Sequence, residues 1–134
     1  MSKHKIAKDY ESSVRELYES FPIVMRTRPY ISVDVGWHSL IEDLCFGLEK
    51  LCENEIQNND NLPYINDMKE KYGSLSISVY GVLLNDELGE KMWKLIDECE
   101  ELSSRTCEEC GRPGSPTQRG WIKTLCKEHN HERK

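Results

Sequence analysis

Residues 107–129 read CEECGRPGSPTQRGWIKTLCKEH, and this stretch decides how the last quarter of the chain folds. It contains two ligand pairs, Cys107 with Cys110 and Cys126 with His129, separated by fifteen residues. A two-residue spacer lets both members of a pair reach one ion, and three thiols with one imidazole complete a tetrahedron. The pattern therefore predicts a structural zinc (Zn²⁺) site. A catalytic metal is one alternative, and cysteines that are reduced or joined in disulfides are another.

The residues between the two pairs predict the shape of this lobe. Gly111 follows the second cysteine and opens a turn-forming run, residues 111–116, which indicates a knuckle. Residues 119–125 have strand-like composition, and Cys126 and His129 are spaced to face one ion from the start of a helix. This order of knuckle, hairpin and ligand-bearing helix resembles a treble-clef zinc finger.

Composition and charge favour one compact unit with an acidic body. The chain has 134 residues, of which 37% are hydrophobic and 31% charged, with a formal net charge of −6. Residues 29–104 hold five Lys or Arg against sixteen Asp or Glu, whereas residues 105–134 hold seven against four. Because duplex DNA is bound by Lys and Arg at its phosphates, general nucleic-acid binding is not expected. We expect an α+β body over 1–104 and the zinc finger over 105–134, packed on the body.

The sequence shows neither a membrane-spanning segment nor an export signal. No stretch approaches the roughly 18 consecutive apolar residues that a membrane-spanning helix needs, and the basic residues at the start are not followed by an apolar run. We therefore expect the protein in the cytoplasm, where thiols stay reduced.

Hydrophobic periodicity predicts the elements of the body. Apolar residues recur at helical spacing in three segments, which are 5–20, 37–57 and 86–104. They alternate with polar residues in 30–35 and in 74–80, as in strands with one buried face. The predicted fold class is α+β, with a small sheet packed against amphipathic helices and followed by a treble-clef-like zinc finger.

Two predicted strands make a thin sheet. A third strand from residues 21–26 or 64–68 would widen the sheet, and dimerisation through a sheet edge would also widen it. The polar residues 57–63 are expected to form an exposed loop. Three further cysteines, at positions 45, 52 and 99, lie on predicted buried stripes and are expected in the core. Trp121 is expected to pack over the zinc finger.

Three motifs carry a resemblance to known proteins. They are Gly36-Trp37 at a helix start, Lys69-Glu-Lys-Tyr-Gly-Ser-Leu75 before a strand, and Cys107-x-x-Cys-Gly-x-Pro-Gly114 with Gly120-Trp-Ile-Lys-Thr-Leu-Cys126. Together these residues resemble a family of small, mostly uncharacterised bacteriophage and prophage proteins, over about residues 30–129. The resemblance implies a viral accessory protein, and such proteins often act against host machinery or host defence.

Binding is a better expectation than catalysis. The sequence has no Gly-rich phosphate loop, no Gly-x-Ser-x-Gly elbow and no His-Glu-x-x-His helix. We expect a zinc-binding protein without catalytic residues that binds, and inhibits, a host protein. His38 is the one imidazole that suits a base, with Asp34 or Glu42 nearby, so a weak hydrolase is an alternative.

A second alternative is that the chain sequesters a small anionic, nucleotide-like molecule. Rings that can stack on a base and cations that can bind phosphate would then form the site, at Trp37, His38, Tyr72, Tyr80, Arg119 and Lys123. For each of them, packing or exposure to solvent is the simpler role.

Overall fold

Helices and short strands are interspersed along the chain. The computed structural model describes residues 9–55, 62–81, 87–118 and 120–132. Its elements are helix α1 (Tyr10–Ser20), strand β1 (Tyr30–Ser32), a 3-10 helix (Val35–Trp37), helix α2 (His38–Glu55), strands β2 (Tyr64–Lys71) and β3 (Ser74–Tyr80), helix α3 (Glu87–Ser103), strands β4 (Ser115–Pro116) and β5 (Thr124–Leu125), and helix α4 (Lys127–Glu132). The predicted α+β class is confirmed.

The main sheet has three strands in the order β1-β2-β3. β1 runs parallel to β2, with Ile31 opposite Met68, and β2 runs antiparallel to β3, with Met68 opposite Ile77. Of the two candidates for a third strand, residues 64–68 are confirmed. The other candidate, 21–26, forms turns, and its Ile23 and Val24 amides donate to the buried Glu49 carboxylate at 2.9 and 3.0 Å.

The predicted strand over residues 30–35 is too long. It ends at Ser32, and Val35 begins the 3-10 helix that leads into α2. The alternating pattern continues to Val35, but the backbone must turn there because Gly36 contacts the last quarter of the chain. A tertiary contact therefore overrides the local pattern.

The helices agree with their predicted positions where the structure describes them. Asp9 caps α1 by accepting from the Ser12 amide at 2.7 Å. Residues 5–8 of the first predicted helix, the end of the second at 56 and 57, and residue 86 lie outside the described residues, as do 57–61 of the predicted loop. None of the described helices combines the length and the hydropathy needed to cross a membrane.

The core lies between one face of the sheet and helices α2 and α3. The sheet supplies Ile31, Met68 and Ile77, and the helices supply aliphatic residues such as Ile41 and Ile96. The three cysteines at positions 45, 52 and 99 are buried in this core, as predicted. Burial raises the pKa of Cys52 to about 11 and that of Cys99 to about 12, which keeps both as uncharged thiols.

Side chains cap both outer edges of the sheet. On β3, the amides of Leu75 and Ile77 donate to Ser103 Oγ at 2.8 Å and to Glu100 Oε2 at 2.9 Å. On β1, the carbonyl oxygen of Ile31 accepts from the Tyr10 hydroxyl. A further strand would need these same backbone groups, so the capping protects the edges from strand addition.

Candidate metal centre

Cys107, Cys110, Cys126 and His129 come together around one point. Their ligand atoms all lie within 4.8 Å of one another. The sulfurs of Cys110 and Cys126 are 3.7 Å apart, and His129 Nδ1 is 3.5 Å from the sulfur of Cys107 and 3.3 Å from that of Cys126. All six cysteines of the chain are free of disulfides. This Cys3His tetrad can hold a metal ion.

The first ligand pair sits on the predicted knuckle. The Gly111 amide donates to the Cys107 carbonyl at 2.9 Å, and the Cys107 amide donates to the Arg112 carbonyl at 2.7 Å. Gly111 has φ +84°, a left-handed conformation that glycine adopts without steric cost. The turn therefore closes back on its own first ligand and brings both sulfurs to one side.

The second ligand pair lies where a short hairpin meets the last helix. β4 pairs antiparallel with β5, with Ser115 opposite Leu125, and Cys126 directly precedes α4, which carries His129. The strand predicted over residues 119–125 is thus confined to Thr124–Leu125 in the described residues. The order of knuckle, hairpin and ligand-bearing helix agrees with the prediction.

Charged groups surround the tetrad on its outer side. Arg112 Nε donates to the Cys110 sulfur at 3.4 Å, and its terminal NH2 group pairs with Glu128 Oε1 at 2.7 Å. Desolvation alone would raise the pKa of Cys110, but hydrogen bonds, chiefly from Arg112, lower it to about 6. This favours the thiolate, which is the form that binds metals. On His129, Nε2 lies 3.8 Å from Glu109 Oε1, so a carboxylate stands behind the imidazole.

The inner side of the knuckle packs on the 3-10 helix of the body. The Gly36 amide donates to the Glu108 carbonyl at 2.7 Å, and the Asp34 amide donates to Glu108 Oε2 at 3.1 Å. Trp37 Nε1 donates to the Thr106 carbonyl at 2.8 Å. A Cβ at Gly36 would lie 2.3 Å from the Glu108 oxygen, so this approach requires glycine.

A second contact joins the metal-binding lobe to the turn between β2 and β3. Thr124 Oγ1 donates to the Gly73 carbonyl at 2.5 Å, and the Thr124 carbonyl accepts from the Glu108 amide at 3.0 Å. Gly73 has φ +87° and lies close to Ile122. Body and lobe are therefore joined on both sides of the knuckle.

The structure distributes the six predicted ligand-binding residues between the core and the surface. Trp37 is fully buried and His38 is nearly so, so neither ring presents an exposed face for stacking. Tyr72 and Tyr80 are exposed. Lys123 is half-buried, with Nζ 3.6 Å from Glu108 Oε1, and Arg119 lies outside the described residues.

His38 forms a buried hydrogen-bonded pair with Ser13. Its Nε2 lies 3.1 Å from the Val33 carbonyl oxygen, which can only accept, so Nε2 carries the proton and Nδ1 accepts from Ser13 Oγ at 2.6 Å. Burial lowers the pKa of His38 and favours the neutral ring. With both nitrogens engaged inside the core, the ring has no access to a substrate, and this geometry does not support the hydrolase alternative.

Trp121 does not pack over the lobe, in contrast to the prediction. Its side chain is 72% exposed, and Nε1 donates to Glu70 Oε1 of β2 at 3.2 Å. Two other large side chains are exposed in this region: Ile122, the next residue, at 40%, and Tyr72, at 79%, in the turn whose Gly73 approaches Ile122. We refer to Tyr72, Trp121 and Ile122 as the aromatic tip.

Sequence reasoning missed the residues that join the two parts of the molecule. Glu108 was visible only as a spacer between two cysteines, and Ser13 only as a polar position of a helix. Gly36 was noted in a motif, but its contact partner lies in a distant part of the chain. No local signal identifies these roles.

Comparison of the chain with protein-family models, with curated proteins and with solved structures finds no match. The tetrad, its contacts with the body and the aromatic tip are therefore the observations that bear on function.

Proposed function

We propose that the tetrad binds zinc in a structural role and that the protein acts by binding a partner protein. The observation that carries the metal assignment is the set of distances between ligand atoms. With Zn–S bonds of about 2.3 Å and Zn–N bonds of about 2.0–2.1 Å, a tetrahedron has S···S edges of about 3.8 Å and S···N edges of about 3.5 Å. Three of the six distances between ligand atoms are 3.7, 3.5 and 3.3 Å, close to these edges, and all six are within 4.8 Å.

A structural role follows from the number of ligands. Four protein groups fill the coordination sphere of zinc, and no position is left for water or a substrate. The lobe also has a very small core of its own, in which Leu125 accompanies the buried ligands Cys107 and Cys126. A lobe with so little apolar burial depends on its metal for folding energy.

The aromatic tip is the surface that supports partner binding. Trp and Tyr are enriched in the energetic centres of protein interfaces, and large apolar side chains grouped on a surface mark such sites. The Trp121 hydrogen bond to Glu70 fixes the ring between the lobe and the β2–β3 turn. A rigid, preorganised ring loses less conformational entropy when a partner covers it.

The proposed partner is a host protein, and the proposed compartment is the cytoplasm of the host cell. Both rest on the resemblance to phage and prophage proteins given by the three sequence motifs. In this proposal, zinc holds the lobe against the body, and the lobe in turn positions the tip.

The test is affinity capture from a bacterial host lysate with the zinc-loaded protein. We expect a specific protein to be retained by the wild type and lost with the double variant Y72S/W121S. The matched control is F46S, which removes a 58% exposed ring on α2, away from the tip. If the tip variant and the control retain the same proteins as the wild type, the tip is not the interface.

A further inference from the structure

The face of the main sheet that points away from α2 and α3 is polar, and its residues are exposed or half-buried. The strand register places Tyr30, Asp67 and Ser78 side by side across the sheet. Because side chains alternate along a strand, they lie opposite the buried Ile31, Met68 and Ile77. We call this surface the open face, and it includes Tyr30, Lys69, Lys71, Ser76, Ser78 and Tyr80.

Two tyrosine rings on the open face are available for stacking. Tyr30 is 72% exposed on β1, and Tyr80 is 51% exposed at the end of β3. Tyr80 is held in place by an edge-on contact with Tyr64, with ring centroids 5.6 Å apart. Exposed rings on a sheet surface are the means by which several folds stack unpaired bases.

On the strands of this face, lysines outnumber carboxylates although the body is acidic. Residues 29–104 hold five Lys or Arg and sixteen Asp or Glu. Two of those five, Lys69 and Lys71, lie on the open face, and Asp67 is the one carboxylate among the strand residues there. Ser76 lies opposite Lys69 and Ser74 opposite Lys71, whereas Ser78 lies opposite Asp67, and the serine hydroxyls supply further donors.

We propose that the open face binds the unpaired bases and phosphates of a single-stranded nucleic acid. Bases stack on Tyr30 and Tyr80, while phosphates contact Lys69, Lys71 and the serine hydroxyls. Free nucleotides offer the same chemistry and are the other source of such a ligand. At about 3.4 Å per residue, the path from Lys71 to Tyr80 spans roughly 20 Å, enough for a few extended nucleotides.

The composition of the face favours this ligand over a protein. Its described strand residues include no aliphatic side chain, whereas the centres of protein interfaces are apolar. The aromatic tip has the opposite character, so the two surfaces suit different partners. The net charge of −6 repels polyanions elsewhere on the molecule, and binding is therefore local, salt-sensitive and unsuited to duplex DNA.

The experiment uses the zinc-loaded full chain and measures the fluorescence anisotropy of labelled oligo-dT and oligo-rU. We expect binding by the wild type and at least about a tenfold loss with K69Q/K71Q. The slope of log affinity against log salt should fall by about 1.4, at about 0.7 for each phosphate contact with a single strand. K91Q/K94Q on α3 removes the same charge from another surface and should bind within about twofold of the wild type.

A second variant tests whether bases stack on the two tyrosine rings. Y30A/Y80A should weaken binding without changing the salt slope, because it removes rings and no charge. Competition with unlabelled mononucleotides identifies the source of the ligand. Displacement at similar concentrations supports the open face as a nucleotide site, and displacement by oligonucleotides alone supports it as a site for a strand.

Two results would overturn the proposal. One is the absence of wild-type binding to either oligonucleotide at low salt, and the other is an equal loss in K69Q/K71Q and K91Q/K94Q. The tip variant Y72S/W121S should bind oligonucleotides normally, so failure here is distinguishable from failure of the proposed protein interface. Thermal melting of each variant verifies that it is folded.

Discussion

The amide of Gly36 donates a hydrogen bond to the carbonyl oxygen of Glu108 across 2.7 Å. Gly36 belongs to the 3-10 helix of the body, and Glu108 lies between the first two metal ligands. The knuckle, which carries two of the tetrad residues, is thus seated directly on the 3-10 helix that leads into α2. This contact couples the geometry of the tetrad to the packing of the body.

The contact predicts that G36A is destabilised. The added methyl group would lie 2.3 Å from the Glu108 oxygen, and the atoms it meets belong to the backbone and cannot rotate away. We expect a loss of about 1–3 kcal/mol in the free energy of unfolding, as for other overpacked sites. Denaturant titration measures it. G47A is the control. Its methyl group lies on α2 and meets the end of the Leu95 side chain, which can rotate away, unlike backbone atoms. Equal stability of the two variants would contradict the prediction.

Metal analysis should find about one zinc ion per chain, because the described residues contain one such tetrad. C110A removes one ligand and should lose most of the metal, because binding energy at such sites is also folding energy. Limited proteolysis should then cleave within the lobe while the body stays resistant. C45A, at a buried position of the core, should keep its zinc. A C110A protein with full zinc content would show that the ligand set is wrong.

The Ser13–His38 pair predicts a dependence of stability on pH. Burial lowers the pKa of His38 in the folded protein, while in the unfolded chain it is about 6.5. Below pH 6.5 the unfolded chain therefore binds more protons, and stability falls as the pH drops towards the folded pKa.

Replacing the imidazole isolates this contribution. H38Q should be less stable than the wild type at pH 7.5, and the difference should shrink between pH 6.5 and 5. Zinc release at low pH affects both proteins alike, so the difference between them reports His38. A difference that stays constant over this range would show that His38 does not titrate on unfolding.

The capped edge of β3 predicts a cost for S103A. Ser103 is fully buried and its Oγ accepts from the Leu75 amide at 2.8 Å, so the variant leaves a buried N–H without a partner. Such a group costs about 1–3 kcal/mol. S104A should stay within about 0.5 kcal/mol of the wild type, since its hydroxyl bonds to the nearby Glu101 carbonyl at a more exposed site. Equal melting of both variants would argue against the cap.

Local patterns in the sequence were enough to predict several features. The ligand spacing identified the tetrad, because two residues between ligands bring both to one ion whatever the rest of the fold does. Helical and alternating periodicity located α2, α3 and β3, because each of these patterns depends only on which neighbouring residues share a face. Burial of the three core cysteines also followed from those stripes.

How these parts meet depends on contacts between segments that are distant in the chain. Asp34 and Glu108 are 74 residues apart in the chain, and no local period records their contact. That contact ends the strand before Val35, whereas other tertiary contacts bury Trp37 and His38 and leave Trp121 exposed. Ligand spacing and periodicity are properties of a few neighbouring residues, so the order of amino acids alone predicted the tetrad residues and most elements. The docking of the lobe and the exposure of each ring depend on the packing of distant segments, which exists only in the folded molecule.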